Sequence, residues 1–126
     1  MIVVDLASDR PLAEQVEAGL RAALAAGEAG PGDRLPTARQ LAADLGVSLA
    51  TVARAYRALE ADGLVTTVRG RGTVVASATQ RDAGTAAAKE TVAARLAEVV
   101  SDARLAGLTR KQFDRLVARA AGKLWT

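Results

Sequence analysis

Hydrophobic positions recur at helical spacing along most of the chain and at strand spacing in one short stretch. Leu12, Val16, Leu20 and Leu24 stand four apart with Ala23 beside them, and Pro11 suits the first position of the helix they define. Gly27, Gly30, Pro31 and Gly32 then interrupt the pattern and predict a loop over residues 27–33. Thr37, with Gln40 three residues on, forms a capping-box sequence ahead of a short helix whose apolar face is Leu41 and Leu45. Gly46 suits the left-handed conformation that stops such a helix, Val47 fills the turn, and Ser48 caps the next helix. That helix runs to about Asp62, burying Val52, Tyr56 and Leu59, and Gly63 ends it. Alternation over residues 64–67 and 73–76 predicts two strands with Arg69-Gly70-Arg71-Gly72 as the turn between them. Residues 2–6 form a short β-prone run, read as a small edge strand.

A polar linker over residues 77–85 precedes two further helices. The first, residues 86–106, presents Val92, Leu96, Val99, Val100 and Ala103 on one face, with Gly107 as its stop. Thr109 and Gln112 make a second capping box, and Leu108 before the cap pairs with Phe113 as a hydrophobic staple. Phe113, Leu116, Val117, Ala120 and Leu124 continue the last apolar stripe. The expected fold is mainly α with a small β-wing. A winged helix-turn-helix domain over residues 1–77 is followed by a linker and a two-helix dimerisation segment over residues 78–126.

Composition narrows the class. Half of the 126 residues are hydrophobic, which excludes a disordered chain and leaves room for one compact domain with an appendage. Charges break every apolar run, so no membrane partner is expected, and the first residues lack the basic and apolar regions of a secretion signal. The absence of cysteine fits a cytoplasmic protein. Without histidine or cysteine, and with scattered carboxylates, the chain offers no nucleophile, near-neutral base or metal-ligand spacing. No enzyme, cofactor or metal is therefore expected.

Charge adds a local signal only. Residues 1–77 hold eight arginines against nine carboxylates, a net charge of −1, whereas nine cations against five carboxylates give residues 78–126 a net charge of +4. Within residues 34–77, however, six arginines face three carboxylates. Arginine suits both phosphate and guanine contacts, and the helix-turn-helix shape places its second helix in a DNA major groove.

On this reading the candidate contacts to double-stranded DNA fall in three places. Ser48 and Thr51 occupy the first turn of the recognition helix, where hydroxyls and free N–H groups meet phosphates or base edges. Arg54 and Arg57 lie three apart on its outer face and offer phosphate contacts, the alternative for Arg57 being an intrahelical pair with Glu60. Arg69, Gly70 and Arg71 form a wing tip suited to the minor groove. In the tail, Val92, Leu96, Val99, Val100, Phe113, Leu116, Val117 and Leu124 are more apolar surface than two helices hide by pairing, so a homodimer is expected. The alternative is a winged-helix module that assembles a protein complex through its tail; Arg39, Arg54, Arg57 and the wing arginines argue against it.

The blocks PLAEQV, AGEAGPGDRLPTARQLAADLGVS, TVARAYRALEADGLV and RGRGTVV, spanning about residues 10–77, resemble the N-terminal domain of the GntR family of bacterial transcription regulators. The TVARAY segment and the short helical tail are similar to the YtrA-like subgroup. The resemblance implies a sequence-specific DNA-binding regulator, a repressor acting on a transporter operon. It implies that Arg39 reaches DNA, and that Leu49 and Ala53 stand where many members carry arginine. Leu49 then either meets a thymine methyl or packs under the turn. Larger relatives add a ligand-binding domain; a tail of about 49 residues is too short to enclose a pocket alone, so any effector stays unknown.

Overall fold

The computed structural model describes residues 2–77 and 86–125. The chain divides into two compact units, Met1–Arg81 and Asp82–Thr126.

The first unit is built around one helix. Helices α1 (Leu12–Ala25), α2 (Ala38–Leu45) and α3 (Leu49–Ala61) precede an antiparallel hairpin of β1 (Val65–Val68) and β2 (Gly72–Val75). Its register pairs Val65 with Val75 and Val68 with Gly72, one residue from the expected strand bounds. Central to the unit is α3, which packs on α1, α2 and β1. Val52, Ala55, Tyr56 and Leu59 supply its inner face and meet Val16, Leu20, Leu35, Leu41, Val65 and Val75 in the core. Burial of such side chains contributes roughly 1.5–3 kcal/mol each and orients the three helices. This is a winged helix-turn-helix.

Two expectations at the N-terminal end are corrected. Residues 2–5 form no strand. Their backbone is tied to the Gln15 side chain instead, which accepts from Asp5 N at 2.8 Å and donates to Asp5 O at 3.1 Å and Arg10 O at 3.0 Å. Ile2 and Val4 still pack against the core. Gly19 makes room for Ile2, because a Cβ there would lie 2.7 Å from its Cγ2. Pro11 is the N-cap of α1 rather than its first helical residue, since its ψ of 139° is extended. The place of a third strand is taken by the loop before α2. Gly32 N donates to Val75 O at 2.8 Å, Val75 N to Asp33 O at 2.9 Å, and Leu35 N to Thr73 O at 2.9 Å. Arg34 forms an isolated bridge with Val74.

The second unit contains α4 (Ala86–Leu105) and α5 (Arg110–Gly122). The capping box is present: Thr109 Oγ1 accepts from Gln112 N at 3.1 Å, and Gln112 Oε1 accepts from Thr109 N at 2.9 Å. Leu108 and Phe113 line one cleft of about 480 Å³ with Val100 and Ala103, as a staple over the turn requires. Leu124 lies beyond the end of α5, which stops at Gly122. Leu96 and Val100 of α4 line a second cleft with Phe113 and Val117 of α5, and no residue of either helix is buried. Among the described residues, no helix is long and apolar enough to cross a membrane.

Candidate nucleic-acid interface

Local chemistry sets the helix-turn-helix. Thr37 Oγ1 accepts from Gln40 N at 3.0 Å while Gln40 Oε1 accepts from Thr37 N at 2.9 Å, so the first turn of α2 is closed by its own side chains. Gly46 ends the helix at φ 71°, a left-handed geometry that costs other residues roughly 1–2 kcal/mol. Val47 N then donates back to Ala42 O at 3.1 Å, turning the chain directly into α3. Ser48 Oγ accepts from Thr51 N at 3.1 Å, and the two hydroxyls share a 2.8 Å hydrogen bond. Ser48 is thus the cap of α3, and Thr51 is held beside it.

Tyr56 fixes α3 to the segment before α2. Its ring is buried and its hydroxyl donates to Pro36 O at 2.5 Å. Burial pushes its pKa up to about 12, so the neutral phenol is held across the ordinary pH range. A second tie runs from Arg21 of α1, which pairs with Asp62 just past α3 and lies 3.6 Å from Glu17. The pairings of Tyr56 with Pro36 and of Arg21 with Asp62 are not legible from periodicity, because the partners are distant in sequence.

The expected contact residues lie in the first unit, on α2, α3 and the wing. Arg39 is exposed on the first turn of α2. Leu49, the first residue of α3, is 41% exposed and stands outside the core cluster. Arg54 and Arg57 line a shallow cleft with Ala50, Thr51 and Ala13 of α1. The Arg57–Glu60 pair does not form: Glu60 Oε2 instead accepts from Thr67 Oγ1 of β1 at 3.0 Å. Among the described residues, Arg39, Arg54, Arg57 and Arg69 form no ion pair.

The wing turn is tight, with Arg71 N donating to Val68 O at 2.9 Å and positive φ at Gly70 and Gly72. Its two arginines differ. Arg69 is exposed and has no hydrogen bond among the described residues, whereas Arg71 Nη2 reaches back toward Gly32 O at 3.4 Å. Arg71 also lines a cleft with Arg34, which is not among the expected contact residues. No acidic cluster able to hold a metal occurs among the described residues.

The geometry agrees with known proteins. The pattern described as bacterial regulatory proteins, gntR family, matches residues 12–75, from α1 through the wing. A transcriptional regulator of Mycobacterium tuberculosis, Rv1152, is 44% identical over 89% of this chain and 87% of its own length. The transcriptional repressor YtrA of Bacillus subtilis is 39% identical over 60% of this chain and 58% of its own. A Listeria monocytogenes transcriptional antiterminator shares the fold at a TM-score of 0.84 and 24% identity, over 96% of this chain and 90% of that one. YtrA from Sulfolobus acidocaldarius, a GntR-family transcription factor, superposes with a TM-score of 0.63 and 31% identity, covering 79% of this chain and 97% of that one. The DNA-binding domain of AraR in complex with operator ORE1 gives 0.52 and 32%, over 58% and 92%. With its helix-turn-helix, its wing and these relatives, this chain belongs to the gntR family of DNA-binding bacterial transcription regulators.

Proposed function

We propose that the protein is a homodimeric cytoplasmic repressor that binds a short inverted-repeat operator, and that it acts by binding alone rather than as an enzyme. The observation carrying this reading is the set of unpaired arginines on α2, α3 and the wing, beside a capped recognition helix whose first residue is exposed. Arg39 reads a base edge from the start of α2. Ser48, Leu49 and Thr51 enter the major groove at the N-terminus of α3, with Leu49 against a thymine methyl. Arg54 and Arg57 contact flanking phosphates, and Arg69, Gly70 and Arg71 follow the minor groove. A two-fold dimer demands a symmetric site with half-sites roughly one helical turn, about 10 bp, apart. Selection from random-sequence duplexes tests it; recovery of no symmetric consensus would sink the proposal. The name of one relative, the repressor YtrA of Bacillus subtilis, supports the sign of regulation. The likeness to YtrA-type proteins extends the proposal to a transporter operon, which genome-wide capture of bound fragments checks.

The dimer rests on the second unit. Val92, Leu96, Val99 and Val100 of α4 and Leu116 and Val117 of α5 are all exposed, as is Leu124. Together with the half-buried Phe113 they form two helical stripes that a second copy covers in a four-helix arrangement. Light scattering coupled to size exclusion at micromolar concentration should return twice the chain mass. A monomer with ordered tail helices would overturn this part alone.

A further inference from the structure

We infer that the cleft between the root of the wing and the start of α2 binds one backbone phosphate of the duplex, with Arg34 and Arg71 as its cationic walls. The inference rests on the DNA-binding reading above and adds a residue and a subsite to it.

Arg34 and Arg71 are far apart in the chain, and only the fold brings them to one place. The backbone around Arg34 is held to β2 on both sides, through Val75 N to Asp33 O and Leu35 N to Thr73 O. Arg34 itself bridges Val74, so it is anchored to the hairpin that also carries Arg71. Both residues line a cleft of about 350 Å³, together with Thr37, Tyr56 and Gly70. No carboxylate lines this cleft among the described residues, and neither arginine has an ion pair there. The neighbouring Asp33 is engaged in its own loop, its Oδ2 accepting from Gly30 N at 2.8 Å. Two arginines at one cleft with no carboxylate among its lining residues raise the local positive potential, which an anion relieves.

The chemistry selects a phosphate. Guanidinium forks match phosphate oxygens in pairs, and a phosphodiester needs cations and donors without any base edge. Thr37 Oγ1 already accepts from Gln40 N, which leaves its own hydroxyl proton free to donate into the cleft. Arg71 is tethered only by the long 3.4 Å contact to Gly32 O, which an anion readily displaces. The wing then follows the minor groove through Arg69 and Arg71, and Arg71 with Arg34 grips the strand at the edge of that groove.

The test uses the full chain, the selected operator duplex and a scrambled duplex of equal length. Fluorescence anisotropy across a salt series gives the slope of log K against log salt. A dimer touching about six to eight phosphates gives a slope of roughly −5 to −7, and each phosphate lost removes about 0.9. Arg34→Ala should shrink the slope by about two for the dimer and weaken both duplexes by the same factor, with the selected consensus unchanged. Arg34→Lys should keep the slope, and adding Arg71→Ala to Arg34→Ala should cost less than the two single losses together. A folded Arg34→Ala or Arg34→Gln protein with the wild-type slope would overturn the inference, as would a changed consensus, which means base reading. Binding of neither duplex by the wild-type chain would instead sink the DNA-binding reading itself.

Discussion

The two units carry the same local signals and spend them differently. Helix α2 and helix α5 begin with the same device, a threonine cap and a glutamine three residues on, and both boxes are closed by hydrogen bonds. Yet the first unit buries its apolar residues within one chain, down to Leu59 at 0% exposure, while Val92 and Leu96 in the second remain 64% and 50% exposed. Helix formation depends on caps and propensity over a few residues; burial depends on whether other elements of the chain can reach the apolar stripe. In the first unit α1, α2 and β1 all reach α3. The tail has two helices, which meet along open clefts without burying a residue.

Mutations can break this contrast. The largest effect should come from Leu59→Ala, which opens a cavity at the centre of the first unit and should cost about 2–5 kcal/mol. Denaturant unfolding should show the loss to be independent of protein concentration. Phe113→Asp in the tail should instead remove any concentration dependence of melting, because the stability it affects is that of association.

Leu49→Arg probes the one large apolar residue that the first unit leaves exposed on its recognition helix. It should leave folding and mass unchanged and shift selection toward guanine at one position per half-site, a discrimination of about 1–3 kcal/mol. An unchanged consensus would show that Leu49 never faces the groove.

The matched caps sharpen the comparison further. Thr37→Ala and Thr109→Ala each remove one cap bond, worth about 0.5–2 kcal/mol. The first should lower the melting of the winged unit, and the second should reduce tail helix content and dimer affinity; circular dichroism with light scattering separates them.

The smallest effect concerns Tyr56. Its folded pKa of about 12 lies above the ordinary 10.0, so the neutral phenol stabilises the fold fully below pH 10 and that contribution fades as pH rises toward 12. Tyr56→Phe should remove this alkaline decline and cost about 0.5–1.5 kcal/mol at neutral pH through the lost bond to Pro36 O. Melting curves taken across that pH range check both.

Sequence alone determined the elements and their punctuation. The two capping boxes, the Gly46 stop, the Ser48 cap and the buried stripe of Val52, Tyr56 and Leu59 depend on residues within one or two turns, so they are readable in order along the chain. Tertiary structure decided what those elements meet. Residues 2–6 have strand propensity, but the strand position beside β2 is filled by the backbone around Arg34, and Gln15 takes up the hydrogen bonds of Asp5. Glu60 is within reach of Arg57 on a helix, but the hairpin brings Thr67 to it first. The cleft shared by Arg34 and Arg71 was invisible for the same reason. A pairing between residues far apart in the chain leaves no period in the sequence, because it is set by where the core places two backbones rather than by either residue's own propensity.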